Sequence, residues 1–119
     1  MKKIELLSSG KAKSLYTTEN SDQLIMEYRD DTSAFDGKKI EKLAGKGTVN
    51  NRFNAHVMQQ IEKSGIPTHF IDEVSENESL VRKLEMVPIE CVVRNITAGS
   101  ICNRLGLEAV SYTHLRAHE

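Results

Sequence analysis

The sequence has few of the residues that mark a special class of protein. Its 119 residues include two prolines, two cysteines and no tryptophan, and only 5% are aromatic. Cys91 and Cys102 lie in a strand pattern and a helix pattern, and two cysteines are too few for a disulfide framework. No apolar run approaches the roughly 20 residues that a membrane-spanning helix needs. We therefore expect buried free thiols and no membrane partner.

The sequence also lacks an excess of charge of either sign. Lysine and arginine number 16 against 17 aspartates and glutamates, so the net charge is −1. This balance offers no broad field for nucleic acid, and the scarcity of aromatic side chains further disfavours a nucleic-acid-binding β-domain. The N-terminal residues lack the uninterrupted apolar core of a signal peptide. These features predict a soluble, cytoplasmic protein that binds no nucleic acid.

The first third of the chain has the alternating pattern of β-strands. Strands are predicted at residues 4–7, 12–17 and 23–29, separated by a turn at Gly10 and a polar turn at residues 19–22. In the third strand, Leu24, Met26 and Tyr28 alternate with more polar neighbours, as expected when one face is buried. The pattern predicts an antiparallel meander.

The middle of the chain changes to a helical pattern. Val49, Phe53, Val57 and Ile61 recur every four residues, which predicts a helix over residues 48–64 that Thr48 or Asn50 could cap. Strands are predicted at residues 68–74 and 80–84, around a polar turn. We therefore predict an α+β fold, with a mostly antiparallel sheet and one main packed helix forming a domain over residues 1–84.

A second strand-to-turn pattern occupies residues 86–106. Pro88 should mark the start of a strand, with Ile89, Cys91 and Val93 on one face and Glu90, Val92 and Arg94 on the other. Ser100 is suited to cap a short helix over residues 101–105 that Gly106 would end. An arginine facing a helix N-terminus indicates an anion-binding site.

Two other stretches each allow two interpretations. Gly10, Lys11 and Lys13 fit either the polyphosphate of a nucleotide or an ordinary solvated turn, although the spacing is not that of a P-loop. Residues 30–37 are predicted to form a loop rich in aspartate. These aspartates could cap local backbone groups, or Asp36 could hold an amine or a metal-bound group at a site.

Three motifs together resemble the SAICAR synthetase (phosphoribosylaminoimidazole-succinocarboxamide synthase) family. They are the Gly10–Lys13 segment followed by Tyr16, the Asp31–Gly37 loop, and the stretch from Met86 to Arg94 that runs on to Ala98–Ser100. The third motif is similar to one of the two signature patterns of the family. The resemblance covers roughly residues 5–108.

This resemblance implies an ATP-dependent, magnesium-requiring ligase of purine biosynthesis. Members of the family join L-aspartate to the carboxylate of carboxyaminoimidazole ribonucleotide (CAIR) through an acyl phosphate, giving SAICAR, ADP and phosphate. The resemblance also implies a homo-oligomer at full length. Because phosphoryl transfer makes the carboxylate reactive, the enzyme's task would be largely positioning and charge neutralisation.

The resemblance also implies roles for individual residues. The phosphates of ATP would be held by Gly10, Lys11, Ala12 and Lys13. Its adenine would be held by the connecting segment that contains Lys83 and Met86. Arg94, Gly99 and Ser100 would hold the phosphate of the ribonucleotide substrate. Asp36 would be the catalytic residue beside the reacting groups, and Glu90 would orient a lysine or a substrate hydroxyl.

Two departures from the family pattern limit this expectation. The second signature, an Asp-x-Lys-x-Glu-Phe-Gly type of segment, has no match here, and with it the acidic metal ligands are missing. Residues 109–119 form an atypical tail, in which His114 and His118 lack a third zinc ligand. We therefore expect an incomplete, inactive N-terminal part, with residues 85–108 beginning the substrate-binding part. The alternative is a nucleotide-binding module without catalysis.

Overall fold

The computed structural model describes residues 1–34 and 38–106, and the chain divides into two compact units, Met1–Glu85 and Met86–Glu119. The elements in chain order are β1 (Leu6–Ser9), β2 (Lys13–Thr17), β3 (Gln23–Tyr28), β4 (Asp31–Ala34), β5 (Lys39–Lys42), α1 (Lys46–Lys63), β6 (Phe70–Ser75), β7 (Glu78–Arg82) and α2 (Ser100–Leu105). None of the helices in these ranges is long and apolar enough to cross a membrane.

A five-stranded antiparallel sheet, in the order β1-β2-β3-β7-β6, forms the first unit. The predicted meander is present as β1, β2 and β3, and the predicted pair after the helix is present as β6 and β7. β1 begins and ends two residues later than predicted, and its pairing with β2 is irregular between Leu6 and Ser8. The predicted α+β fold with a mostly antiparallel sheet is confirmed.

The loop predicted over residues 30–37 is wrong for its first half. Asp31, Thr32 and Ser33 form β4, which pairs antiparallel with β5 in a separate two-stranded sheet. Their short polar side chains favour turns, but ladder hydrogen bonds join main-chain groups and do not require apolar side chains. Because every residue of β5 is exposed, this hairpin gave no alternating pattern to detect.

The long helix is present as predicted, but it begins earlier and buries a different face. α1 starts after Gly45, whose φ of 84° favours glycine, so the predicted caps Thr48 and Asn50 are wrong. The buried residues are Gly47, Asn51 and Ala55, also four apart. Val49 and Phe53, from the apolar stripe, remain 66% and 69% exposed.

The core lies between α1 and strands β3, β6 and β7. Leu24, Val81 and Phe70 are neighbours across these three strands, and all are buried. Ser79 points to the same face, because it lies two residues from Val81. Since Ser79 donates a hydrogen bond to Asn51 of α1, this is the face on which the helix packs.

In the second unit, the predicted strand after Pro88 is wrong. Residues 86–99 form no strand, and Ile89 and Val93 are 72% and 96% exposed. The expected burial of the thiols is also wrong, because Cys91 is exposed and Cys102 is half-buried. A strand forms only when a neighbour takes up its main-chain hydrogen bonds, and the described residues give this segment no such neighbour. α2 and its end at Gly106, with φ of 64°, agree with prediction, but its N-cap is Gly99 and not Ser100.

Candidate functional site

The β1–β2 hairpin presents the predicted phosphate-binding residues at its tip. The Gly10 amide donates to the Lys13 carbonyl oxygen at 2.8 Å, which closes the turn. Lys11 and Lys13 are exposed, and Lys13 Nζ lies 5.7 Å from the centre of the Tyr28 ring. A Cβ added at Gly10 would meet only the Lys13 carbonyl, at 3.8 Å. The fold itself therefore leaves room for a side chain at this position.

Tyr28, under Lys13, belongs to the buried face of the sheet. Only 6% of the residue is exposed, and burial raises the pKa of its phenol above the usual range. The phenol thus stays neutral near neutral pH and adds no negative charge beneath the lysine. The positive charges of the hairpin are left to interact with an anion from solvent.

Arg29, which the sequence did not identify, lies behind this hairpin. Its guanidinium donates to Ser9 Oγ at 2.6 Å, to Ser14 Oγ and to the Gly10 carbonyl, while its Nε donates to Asp31 Oδ2 at 2.9 Å. Arginine on a polar strand end has no distinctive local pattern. Only the register of β2 with β3 brings it beside the turn.

The aspartates of the predicted loop have different partners. Asp30 accepts hydrogen bonds from the amides of Gly47, at 2.8 Å, and Gly45, at 3.2 Å, so it caps the start of α1. The predicted local capping is therefore wrong for Asp30, because the amides that it caps lie 15 and 17 residues further along the chain. Asp31 pairs with Arg29. Asp36, the predicted catalytic residue, lies outside the described residues.

The predicted adenine-binding connection is exposed. Lys83 is exposed, and its amide donates to the Asp22 carbonyl at 2.8 Å. Met86, the first residue of the second unit, is 80% exposed. Lys83 and Met86 belong to different units, so the structure describes each of them within its own unit only. Their joint contact with adenine stays a prediction.

The second unit brings Arg94 and Gly99 together. Arg94 Nη1 donates a hydrogen bond to the Ala98 carbonyl, and a Cβ at Gly99 would overlap the guanidinium. Gly99 has a φ of 73° and directly precedes Ser100, the first residue of α2. The predicted phosphate-binding residues Arg94, Gly99 and Ser100 are thus neighbours. Glu90 is exposed, and no hydrogen bond of the described residues joins it to these three.

Metal binding finds no support in residues 1–34 and 38–106, where no group of three histidine, cysteine, aspartate or glutamate side chains could hold an ion. The tail histidines, His114 and His118, lie outside those ranges.

A shallow groove lies elsewhere on the first unit, at the C-terminal end of α1. Glu62, Thr68, His69 and Arg82 are among its lining residues, and no predicted site residue is. His69 Nε2 is buried without a hydrogen-bond partner in the described part of the chain. Burial, and secondarily the charge of Lys13, lower the pKa of His69 below its usual range.

An antiparallel sheet carrying one long helix, with a lysine-bearing hairpin at one end, defines an α+β protein with a candidate anion-binding turn. The family model of SAICAR synthetase matches residues 6–115. The chain therefore belongs to the SAICAR synthetase family, whose members are ligases.

Individual relatives agree with this assignment. A phosphoribosylaminoimidazole-succinocarboxamide synthase from Alcanivorax borkumensis is 63% identical over 108 residues, which are 91% of this chain and 45% of the relative. The crystal structure of the same-named protein from Ehrlichia chaffeensis has a TM-score of 0.80 at 34% identity, over 91% of this chain and 46% of that one. A SAICAR synthetase in complex with ADP has a TM-score of 0.78 at 43% identity, over 88% and 44%. The chain thus spans less than half the length of these relatives.

Proposed function

We propose that this chain is the N-terminal part of an ATP-dependent ligase that joins L-aspartate to the carboxylate of CAIR to give SAICAR, ADP and phosphate. Membership of the SAICAR synthetase family supports this reaction. A neighbour at 43% identity is a complex with ADP, which supports a nucleotide site in this family. The length of the match supports an incomplete site, because the relatives have a further part that this chain does not cover.

The observation that carries the proposal is the hairpin tip. Lys11 and Lys13 are exposed, and no carboxylate of the described residues lies within 4.0 Å of either ammonium group. The backbone at Gly10 is open, although the fold would accept a side chain there. Two unpaired lysines beside an open main chain suit the phosphates of a nucleotide, with Ala12 completing the turn.

The proposed chemistry has two steps. A carboxylate oxygen of CAIR attacks the γ-phosphorus of ATP, and the bond to the β-phosphate oxygen breaks to release ADP. The amine of L-aspartate then attacks the acyl carbon, loses a proton and displaces phosphate. Both steps need negative charge to be held and neutralised, which is the contribution we assign to Lys11 and Lys13.

Further positions complete the proposal. Lys83 and Met86 would contact adenine, and Arg94, Gly99 and Ser100 would hold the phosphate of CAIR. Asp36 would act beside the reacting carboxylate or amine, and Glu90 would orient a lysine or a substrate hydroxyl. Magnesium would neutralise the ATP phosphates when bound. No step is assigned to it, because the described residues hold no group of three histidine, cysteine, aspartate or glutamate side chains that could bind an ion. Homo-oligomer formation at full length stays a prediction.

The test is isothermal titration of the chain with ADP, and then with CAIR. We expect the double variant Lys11→Met with Lys13→Met to lose ADP binding while its thermal midpoint stays within about 2 °C, because both side chains are exposed. The matched control, Lys39→Met with Lys42→Met, makes the same charge change on exposed β5 and should bind ADP normally. Equal binding by the two double variants would refute the phosphate-binding role of the hairpin.

A non-catalytic nucleotide-binding module is the second candidate function. It is favoured by the absence of a metal-binding group within residues 1–34 and 38–106. The two functions can be distinguished by adding, as a second polypeptide, the part of a relative that this chain does not cover. SAICAR formed from ATP, CAIR and L-aspartate by the mixture supports the ligase, while ADP binding without product supports the module.

A further inference from the structure

Arg29 makes the most extensive side-chain contacts around the hairpin tip. Its guanidinium and Nε donate to Ser9, Gly10, Ser14 and Asp31, and a longer contact of 3.5 Å reaches the Lys13 carbonyl. These partners lie on both sides of the turn as well as on β4. The side chain thus joins the two strands that carry the turn and ties them to a third.

The main chain at the same residue adds to this connection. The Arg29 amide donates to the Ala12 carbonyl at 2.8 Å, so backbone and side chain of one residue contact the turn on both sides of Lys11. The Ser14 side chain is buried, with 4% of the residue exposed, and its hydroxyl also lies 3.3 Å from Ser9 Oγ. The two hydroxyls and the guanidinium therefore form one hydrogen-bonded cluster.

Arginine suits this position and lysine would not replace it. A guanidinium carries five N–H groups in a rigid, planar arrangement, whereas an ammonium group donates all its hydrogens from one point. One lysine side chain therefore cannot reach Ser9, Ser14 and Asp31 together. Asp31 balances the charge of Arg29, at 2.9 Å, so this arginine is engaged before any ligand arrives.

We propose that Arg29 is a positioning residue that holds the Gly10–Lys13 turn in the shape that receives the phosphate chain of a nucleotide; this rests on the proposed function. A hairpin tip held only by main-chain hydrogen bonds, from Gly10 to Lys13 and from Arg29 to Ala12, would lose more conformational freedom when a ligand binds, which weakens binding. Because Arg29 faces the turn from behind, it acts through Gly10, Ser9 and Ser14 and does not itself touch the nucleotide.

The experiment compares Arg29→Lys with Arg82→Lys by isothermal titration with ADP. Arg82 is a good control because it ends β7, as Arg29 follows the end of β3, and it likewise donates to main-chain carbonyls, those of Thr68 at 2.7 Å and Phe70 at 3.4 Å. We expect Arg29→Lys to weaken ADP binding about tenfold, from the loss of two or three hydrogen bonds, and Arg82→Lys to change it less than about twofold. The thermal midpoint of each variant is measured alongside, so that ADP binding is compared between folded proteins.

A second variant guards against a folding defect in Arg29→Lys. Ser9→Ala with Ser14→Ala removes two acceptors of the guanidinium but keeps the charge and the main-chain contacts, and we expect it to weaken ADP binding about threefold to fivefold. Unchanged ADP binding by both Arg29→Lys and the double serine variant would overturn the inference while leaving the proposed function intact. Failure of the unaltered chain to bind ADP would instead overturn the proposed function, and the inference with it.

Discussion

At the scale of single residues, Asn51 shows how one polar side chain fixes the position of a helix. It is fully buried, and its amide nitrogen lies within hydrogen-bonding distance of the carbonyls of Ser75, Glu76 and Glu78. Its side-chain oxygen accepts from Ser79. Because buried polar groups are costly unless they are paired, these contacts define a single placement of α1 over the β6–β7 turn.

His69 gives a prediction at the same scale. Its folded pKa is lowered by burial and by Lys13, so the unfolded chain binds the proton more readily than the folded chain does. Stability is therefore retained above the unfolded pKa of about 6.5 and is lost as pH falls from there toward the folded pKa. We expect His69→Gln to reduce the fall in thermal midpoint between pH 7.5 and pH 5.

The His69 measurement is the difference in midpoint between the two pH values, and not the midpoint itself, because the substitution also changes packing. His56→Gln is the control, since His56 is exposed on α1. Glu62 and Arg82 line the same groove and are unchanged in both variants. An equal fall in midpoint for His69→Gln and the unaltered chain would show that another group controls the acid response.

At the scale of elements, α1 packs most closely through small residues, while its apolar stripe is exposed at Val49 and Phe53 and only half-buried further along the helix. A Cβ at Gly47 would overlap the Tyr28 carbonyl, so Gly47→Ala must move the helix away from the sheet. We expect this variant to lose about 1–3 kcal/mol of unfolding free energy in urea titration. Phe53→Ala, on the exposed face, should change it by less than about 0.5 kcal/mol. A larger loss for Phe53→Ala than for Gly47→Ala would contradict the packing described here.

The same helix shows what sequence patterns can and cannot predict. The four-residue spacing of Val49 and Phe53 predicted a helix, because any regular stripe at that spacing requires one. It did not predict the buried face, since Gly47, Asn51 and Ala55 have the same spacing and little hydrophobicity. Close approach to the sheet, which small residues allow, is visible only once the tertiary structure is known.

The candidate site was predicted to a similar extent. Lys11 and Lys13 were predicted from a glycine turn and a family motif, since charge and turn chemistry are local properties, and their phosphate-binding role stays a prediction. Arg29 could not be predicted, because its contacts with Ser9 and Ser14 depend on the register between β2 and β3. The strand after Pro88 was predicted from alternation alone, and alternation does not tell whether a pairing partner exists.

At the scale of the whole molecule, many large apolar side chains of the described residues are exposed. Residues 86–93 are the clearest case, because Ile89 and Val93 are mostly exposed and the segment has no strand partner in the described residues. Contiguous exposed apolar residues favour association. We therefore expect the chain to bind a hydrophobic dye in its native state and to self-associate.

The variant Ile89→Thr with Val93→Thr tests the source of this association. Both side chains are exposed, so the thermal midpoint should change by less than about 2 °C, while dye fluorescence and the mass measured by light scattering should fall. Val49→Thr with Phe53→Thr is the matched control, because it removes a similar exposed apolar pair from α1. If the control lowers association as much as the first variant does, the apolar face of α1 contributes equally. If neither variant lowers it, association does not arise from exposed apolar side chains at either place.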